Sequence, residues 1–208
     1  MSTARTSEPA LVLRLGPSGE SHLKLDLLSP ESGIFACLKR VPKKPGPKAA
    51  PDLFDTAVVE LETARQGNAR FVGDYHPSVR RGRIGGSYGR LRHASAFARL
   101  LLRNAAHMPD SATLFELAER TFDAFEAGRS PEIVLLKGLY LLLRDEGFPV
   151  RESWWPRVPS ELKEAGRLLL NRPAPETASP PQLELAEALH EDLSRWVRRE
   201  TELILAED

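Results

Sequence analysis

Apolar side chains recur at every second position in five short segments near the start of the chain. Such a period of two is typical of β-strands, and glycine, proline or asparagine breaks the pattern between the segments. The predicted strands are Leu11–Leu15, Leu23–Leu27, Ile34–Lys39, Ala57–Glu62 and Phe71–Tyr75. The predicted turns are Gly16–Gly19, Pro30–Gly33 and Gln66–Asn68. Residues 1–8 lack the pattern, and we expect them to be disordered.

The pattern then changes to the 3.6-residue period of amphipathic helices. Asp110 or Ser111 can cap one helix, which Gly128 ends, and Pro131 occupies the first turn of the next. That helix is apolar nearly all round, which predicts the buried centre of a bundle. The predicted helical segments are 91–105, 111–128, 131–146, 161–170 and 182–205, with Pro173–Pro181 as a linker before the last.

These patterns predict an α+β protein with a five-stranded barrel followed by an all-helical domain. A barrel of this size is most often an OB-fold, in which strands 2–3 and the neighbouring loops bind oligonucleotides. We place the OB-fold domain at residues 1–78 and the helical bundle domain at residues 79–208. The segment 80–89, rich in arginine and glycine, is interpreted as a basic, flexible joint.

The 208-residue chain has no net charge, but its two halves differ in sign. Residues 1–93 hold 15 Lys and Arg against 9 Asp and Glu, so the acidic excess lies in the rest. A basic N-terminal half favours a polyanionic partner. Since Cys37 is the one cysteine, no internal disulfide or cysteine zinc cluster can form. Without a signal-peptide core or a membrane-length apolar run, we expect a soluble cytoplasmic protein.

The strongest candidate site is Gly33–Lys48, where a strand leads into a loop that prolines keep out of helical conformation. Closely spaced cations on an extended backbone suit a phosphate backbone, and the alternative is a solvated turn. The cations of this segment are Lys39, Arg40, Lys43, Lys44 and Lys48. Further candidates are Arg80, Arg81 and Arg83, which could instead form a charged linker, and the strand residues Arg14 and Lys24.

Aromatic residues on the strands could stack on bases, and the alternative is core packing. For Phe35 the two interpretations are balanced, for Phe71 core packing is favoured, and Tyr75 is open. The Trp154–Trp155 pair, with arginines on both sides, could form a partner pocket, although such residues more often fill a core. Cys37 is interpreted as a buried structural thiol rather than a nucleophile.

The order of these features resembles the RecO family of bacterial recombination mediators. The similarity lies in a barrel with the strand GIFACLKRVPKK and a following LFDTAVVEL strand. Helical segments with the sequences ASAFARLLLR, LFELAERTFDAF and LLKGLYLLLRDEGFPV come next. The resemblance covers roughly residues 10–150 and rests on the order and spacing of elements rather than on one motif.

This resemblance implies an OB-fold in which Lys39, Lys43 and Lys44 contact DNA. It also implies a helical domain that receives the acidic, hydrophobic-ended tail of single-stranded DNA-binding protein, while a RecR partner is left open. The cations for that tail could be Arg99, Arg103 or Arg144. Many family members carry a four-cysteine zinc module after the turn at Gly147–Pro149, and this chain has no cysteine there.

The predicted function is therefore that of a mediator that binds single-stranded DNA, anneals strands and assists recombinase loading on coated strands. The alternative is a non-catalytic adaptor whose helical domain docks a partner. We expect no enzyme and no cofactor, because the chain lacks a dinucleotide fingerprint within a βαβ unit, a P-loop and an H-E-x-x-H pair.

Overall fold

The computed structural model describes residues 5–41, 49–63 and 69–205. It divides into two compact units whose segments alternate along the chain. The first unit comprises Met1–Gly82 and Ala105–Glu119, and the second comprises Arg83–Asn104 and Arg120–Asp208. The first unit thus takes in the stretch Ala105–Glu119, which the helical pattern of the sequence predicts to be part of the helical domain.

Five strands of the first unit form a closed barrel in the order β1-β2-β3-β5-β4. Their bounds are β1 Arg5–Ser18, β2 His22–Ser29, β3 Gly33–Arg40, β4 Thr56–Thr63 and β5 Arg70–Val79. The β3–β5 pair is parallel and the other pairs are antiparallel. The first four strands lie in the order 4-1-2-3, which is the Greek-key arrangement.

The five predicted strands are confirmed, but β1 begins earlier than expected. Arg5 lies opposite Glu62 of β4, so the expectation of disorder is wrong for residues 5–8. The N-terminal half of β1 pairs with β4, and the half from Leu11 onward pairs with β2. Because one long strand serves two neighbours, the sheet closes on itself and leaves no free edge.

Alternate residues of the strands fill the barrel with a small apolar core. Leu25 and Leu27 of β2, Cys37 of β3 and Val59 of β4 are at most 2% exposed in this cluster. The same alternation sends the residues between them outward. The exposed side chains of the barrel are therefore grouped by strand register, which decides which of them can act together.

The helices are α1 Tyr88–Asn104, α2 Ser111–Glu126, α3 Pro131–Asp145, α4 Ser160–Asn171 and α5 Pro180–Glu200. Asp110 caps α2, since its Oδ1 accepts the Thr113 backbone N–H at 3.0 Å and its Oδ2 accepts the Thr113 hydroxyl at 2.7 Å. These two hydrogen bonds lower the pKa of Asp110. Gly128 follows α2 with φ of 80°, as predicted for a glycine terminator. The last helix ends at Glu200, short of the predicted end at Leu205. No helix among the described residues is long and apolar enough to cross a membrane.

The segment 80–89 is structured rather than an open joint. Gly82–Gly86 forms a short 3-10 turn, and the fully buried Ile84 donates its backbone N–H to Glu126 Oε2 at 3.2 Å. The expectation of a flexible basic joint there is wrong, because the turn is held by a buried side chain and a hydrogen bond.

Candidate nucleic-acid interface

Three neighbouring strands bring basic residues together on the outer face of the barrel. Across β1, β2 and β3, one row joins Gly16, Lys24 and Leu38, and the next joins Ser18, His22 and Arg40. Directly opposed side chains on one face lie about 5 Å apart at Cβ. We call the group of Arg14, His22, Lys24, Arg40 and Phe71 the outer-face cluster.

Arg14 reaches this face through an irregularity in β1. Val12 faces the core opposite Leu27, and two residues later Arg14 lies opposite Asp26, with a register shift between them. Such bulges re-aim side chains and are common next to functional sites. The shift brings Arg14 to the same side of the sheet as Lys24.

One carboxylate organises two of these cations. Arg14 Nε donates to Asp26 Oδ2, and Lys24 Nζ lies 3.8 Å from Asp26 Oδ1. The Asp26 side chain is only 9% exposed, whereas the side chains of Arg14 and Lys24 are 62% and 49% exposed. The acid therefore lies beneath the cations and orients them, and the exposed surface keeps an excess of positive charge.

Phe71 supplies an aromatic ring on the same face. It lies opposite Leu38 of β3 and Glu62 of β4, and its ring meets the His22 imidazole edge to face at a centroid distance of 6.1 Å. Core packing, favoured for Phe71 from the sequence, is therefore not its position. Half-buried aromatic rings beside cations are the pattern of a surface that stacks bases.

The outer-face cluster leads directly towards the basic loop. The backbone N–H of Val41 donates to the Ser21 carbonyl oxygen at 2.8 Å, which ties the end of β3 to the β1–β2 turn. Arg40 is thus the last described cation before the loop. Lys43, Lys44 and Lys48 lie outside the described residues, and their DNA contacts stay a prediction.

Lys39 lies on the opposite side of β3 from Arg40. It shares that side of β3 with Cys37, whose pKa is raised to about 12 by burial and by the charge of Asp26, and is lowered less strongly by the charges of Arg70 and Lys39. Phe35, also on that side, packs against the barrel core with the Arg70 guanidinium 4.9 Å from its ring centroid. Lys39 and Phe35 therefore do not belong to the outer-face cluster, and Cys37 stays a thiol at neutral pH.

Arg81 is buried, which corrects its prediction as a DNA contact. Its side chain is 1% exposed, and its Nη1 donates to the Phe54 carbonyl at 2.7 Å and to Thr56 Oγ1 at 2.9 Å. Its Nη2 lies 3.6 Å from Glu119 Oε1, which also accepts the Thr56 hydroxyl at 2.8 Å. A guanidinium enclosed by these groups holds the first unit together and cannot reach a phosphate.

Arg80 is half-exposed and bound to the same part of the barrel. Its Nη1 donates to Asp55 Oδ2 at 2.7 Å and to the Ala50 carbonyl at 2.9 Å. Tyr75, buried in the core, donates its hydroxyl to the same Asp55 oxygen at 2.8 Å, and burial raises the pKa of both groups. Arg83 is exposed and belongs to the second unit. Arg80 and Arg81 are therefore held by other groups of the first unit and are not part of the outer-face cluster.

The second unit has a groove between α1, α3 and α5. It consists of two adjoining cavities of about 390 and 480 Å³ that share Ala96, Leu135, Glu187 and His190. Arg99, predicted as a cation for a partner tail, lines one of them. Of the other two predicted cations, Arg103 donates to the Leu205 carbonyl at 3.0 Å and Arg144 pairs with Asp145 at 2.6 Å.

Among the described residues, one group of side chains has the residue types and spacing of a cation site. Ligand atoms of Glu60, Asp74 and His76, on the neighbouring strands β4 and β5, lie within 4.8 Å of one another. Ligands that share an ion at bond lengths near 2.1 Å approach each other to roughly 3 Å, so these side chains would have to close inward. The arrangement carries no cysteine and is unrelated to the zinc module of the RecO family.

Comparisons of the sequence with protein-family models and with curated proteins gave no match. The function must therefore be argued from the residues themselves. The feature that sequence reasoning missed is the aromatic pair of His22 and Phe71. Strand alternation alone would have placed His22 beside Lys24, but Phe71 shares its parity with the buried Tyr75, and a register shift in the β4–β5 pair hides its outward position.

Proposed function

We propose that this protein is a cytoplasmic, RecO-like mediator of DNA repair and recombination, which binds single-stranded DNA, anneals strands and assists recombinase loading on coated strands. The observation that carries the proposal is the outer-face cluster, in which three cations adjoin an edge-to-face aromatic pair. The resemblance of residues 10–150 to the RecO family supports the same conclusion from the order of elements.

The chemistry of the cluster suits an unpaired strand. Arg14, Lys24 and Arg40 would neutralise successive phosphates, and their exposed side chains leave room for a flexible backbone. Phe71 and His22 would stack on bases, which have π-faces in every sequence. Binding of this kind is strong at low salt, tolerant of sequence and weaker for a duplex, whose bases are already stacked.

The barrel supports an OB-fold assignment. It has five strands, a Greek-key order and full closure. Its outer-face cluster is centred on β2 and β3, with Arg14 of β1 and Phe71 of β5 on either side. OB-folds bind oligonucleotides on these strands and on the neighbouring loops. The loop after β3 would extend the surface with Lys43, Lys44 and Lys48.

The groove of the second unit favours a protein partner as well. Its apolar floor includes Leu100, Leu135 and Leu139, and Arg99 and Arg198 stand at its margin. A short acidic tail with a hydrophobic end, as in single-stranded DNA-binding protein, would place its apolar end on this floor. Its acidic residues would lie at the arginines and away from Glu132, Glu187 and Glu191, which also line the groove. The same groove would serve an adaptor that binds no DNA, which is the second candidate function.

Fluorescence anisotropy with labelled oligonucleotides distinguishes the DNA-binding mediator from the adaptor. We expect a short single strand to bind more tightly than a duplex of equal length, with a log–log salt slope of about −0.7 for each phosphate contact. If Lys43, Lys44 and Lys48 join the three outer-face cations, the slope approaches roughly −4. Equal or tighter duplex binding would remove the outer face as the main site, and no DNA binding at all would favour the adaptor.

A further inference from the structure

A separate cavity of about 280 Å³ lies in the second unit, between α3, the turns that follow it and α4. It is unconnected with the groove described above, since none of its lining residues is shared. The residues around it are Tyr140, Arg151, Trp155, Arg167, Leu170 and Asn171. Two aromatic rings and two guanidinium groups in so small a space are a specific combination.

The aromatic wall of this cavity is held in place from behind. Trp154 is 1% exposed and donates its Nε1–H to Asp192 Oδ2 at 3.0 Å, so it belongs to the core. The Trp155 ring packs edge to face on Trp154 at a centroid distance of 5.5 Å and remains partly exposed. Gly166 of α4 permits this position, because a Cβ there would lie 3.3 Å from the Trp155 ring and 3.0 Å from Leu189.

The two arginines carry charge that the structure does not compensate. Among the described residues, neither the Arg151 nor the Arg167 side chain makes an ion pair or a hydrogen bond, and both residues are exposed. Their neighbour Arg157 differs, since its Nη1 lies 2.8 Å from Glu200 Oε1. Two guanidinium groups without an internal partner at one cavity attract an anion.

A cation also offsets the helix end that borders the cavity. Asn171 is the last residue of α4, and the carbonyl end of a helix carries partial negative charge that would oppose an anion. Lys137 of α3 donates its Nζ to the carbonyl oxygens of Leu170 and, at 2.9 Å, of Arg172. Since this ammonium binds the terminal carbonyls, it offsets the partial negative charge of that helix end.

We propose that this cavity binds a nucleotide unit through a terminal phosphate, with Arg151 and Arg167 on the phosphate and Trp155 against the base. Guanidinium groups bind phosphate oxygens in pairs, and indole rings stack on planar bases. Tyr140 and Asn171 add a hydroxyl and an amide for the sugar or the base edge. The volume of about 280 Å³ lies just below the usual range for ligand pockets, so the cavity has room for no more than one nucleotide.

Two sources share this chemistry, namely a free mononucleotide and the phosphorylated end of a DNA strand. The inference does not depend on the outer-face cluster, because the cavity lies wholly in the second unit. Failure of the outer face to bind DNA would leave it intact, and the reverse also holds.

Calorimetric titration of the full-length protein with AMP, adenosine and inorganic phosphate tests the proposal. We expect saturable AMP binding, no binding of adenosine at the same concentrations, and weaker binding of phosphate alone. The double variant R151A/R167A should bind AMP at least about 10-fold more weakly, because it loses the charged hydrogen bonds. Arg157→Ala is the matched control, and it should bind AMP as the wild type does.

Anisotropy with 5′-phosphorylated and 5′-hydroxyl oligonucleotides then identifies the source. A gain from the 5′-phosphate that R151A/R167A abolishes assigns the site to strand ends, and AMP binding without such a gain assigns it to free nucleotides. Trp155→Leu should weaken either ligand, and if that variant misfolds, the exposed arginines decide alone. Absence of binding by both ligands, or unchanged binding in R151A/R167A, would overturn the proposal.

Discussion

The first unit carries two sets of cations that look alike in the sequence and differ in what their side chains touch. On the outer face, the exposed Arg14 and Lys24 rest on one largely buried carboxylate, Asp26. In the other set, Arg81 is enclosed by a carbonyl, a hydroxyl and the Glu119 carboxylate. The first set keeps its charge exposed to solvent, and the second forms its hydrogen bonds within the fold.

The difference lies in geometry rather than residue type. A guanidinium has five N–H donors, so its function depends on how many of them the protein already occupies. Burial removes water from Arg81 and makes each of its partners necessary, whereas solvent screens the ion pairs of the outer face. Substitutions in the two sets should therefore affect different measurements, stability in one and binding in the other.

The largest effect is expected from Arg81→Met. This change leaves the Phe54 carbonyl and the Glu119 carboxylate without their buried donor, which should lower the free energy of unfolding by about 3–5 kcal/mol. Urea denaturation followed by circular dichroism measures it. The control Arg40→Met, on the exposed face, should stay within about 0.5 kcal/mol of the wild type. Equal stability of the two variants would contradict a structural role for the buried Arg81.

The double variant K24Q/R40Q should act on binding instead. Loss of two phosphate contacts should flatten the salt slope for a single strand by about 1.4 and leave stability nearly unchanged. A similar flattening, about 1 to 1.5, is expected for K43A/K44A in the loop. The matched control R129Q/R195Q removes the same charge from exposed ion pairs of the second unit. If the control flattens the slope as much, the effect is only that of net charge.

Phe71→Leu should separate stacking from charge. Removal of the ring is expected to weaken single-strand binding about 10-fold, within the range for one stacked base, while the salt slope stays unchanged. Anisotropy at several salt concentrations gives both quantities. A changed slope with unchanged affinity at low salt would contradict a stacking role for Phe71.

The smallest and sharpest comparison is between neighbours in the chain. Arg40→Gln should flatten the salt slope by about 0.7, and Lys39→Gln should not, because the two side chains lie on opposite sides of β3. Lys39→Gln should instead raise the pKa of Cys37 further, since the lysine charge lowers it, and so slow alkylation of that thiol at alkaline pH. Equal slopes for both variants would place Lys39 in the interface.

Much of the fold could be predicted because local patterns determine it. Alternation identified all five strands, and capping or terminating residues such as Asp110, Pro131 and Gly128 located the helices. The start of β1 was missed because its buried residue is Glu8, whose carboxylate accepts the Ser29 hydroxyl and, at 2.9 Å, the Ser32 hydroxyl. A hydrophobic pattern cannot reveal a strand whose inward residue is charged.

The site was harder to predict, since its arrangement depends on contacts between distant residues. In the sequence, Arg81 is indistinguishable from its exposed neighbours, because its partner Glu119 is 38 positions later in the chain. Arg14 and Phe71 reach the outer face through register shifts that reverse the parity of alternation. Composition identifies the basic half of the chain, but only the three-dimensional structure separates its buried cations from its exposed ones.

The alternation of the two units along the chain also constrains the order of folding during synthesis. Residues 1–82 leave the ribosome before Glu119, so Arg81 and Thr56 must wait for a partner that follows the whole of α1. N-terminal domains usually fold first as synthesis proceeds. Here the barrel completes its buried ion pair only after a helix of the second unit has been made, which links the maturation of the two units in time.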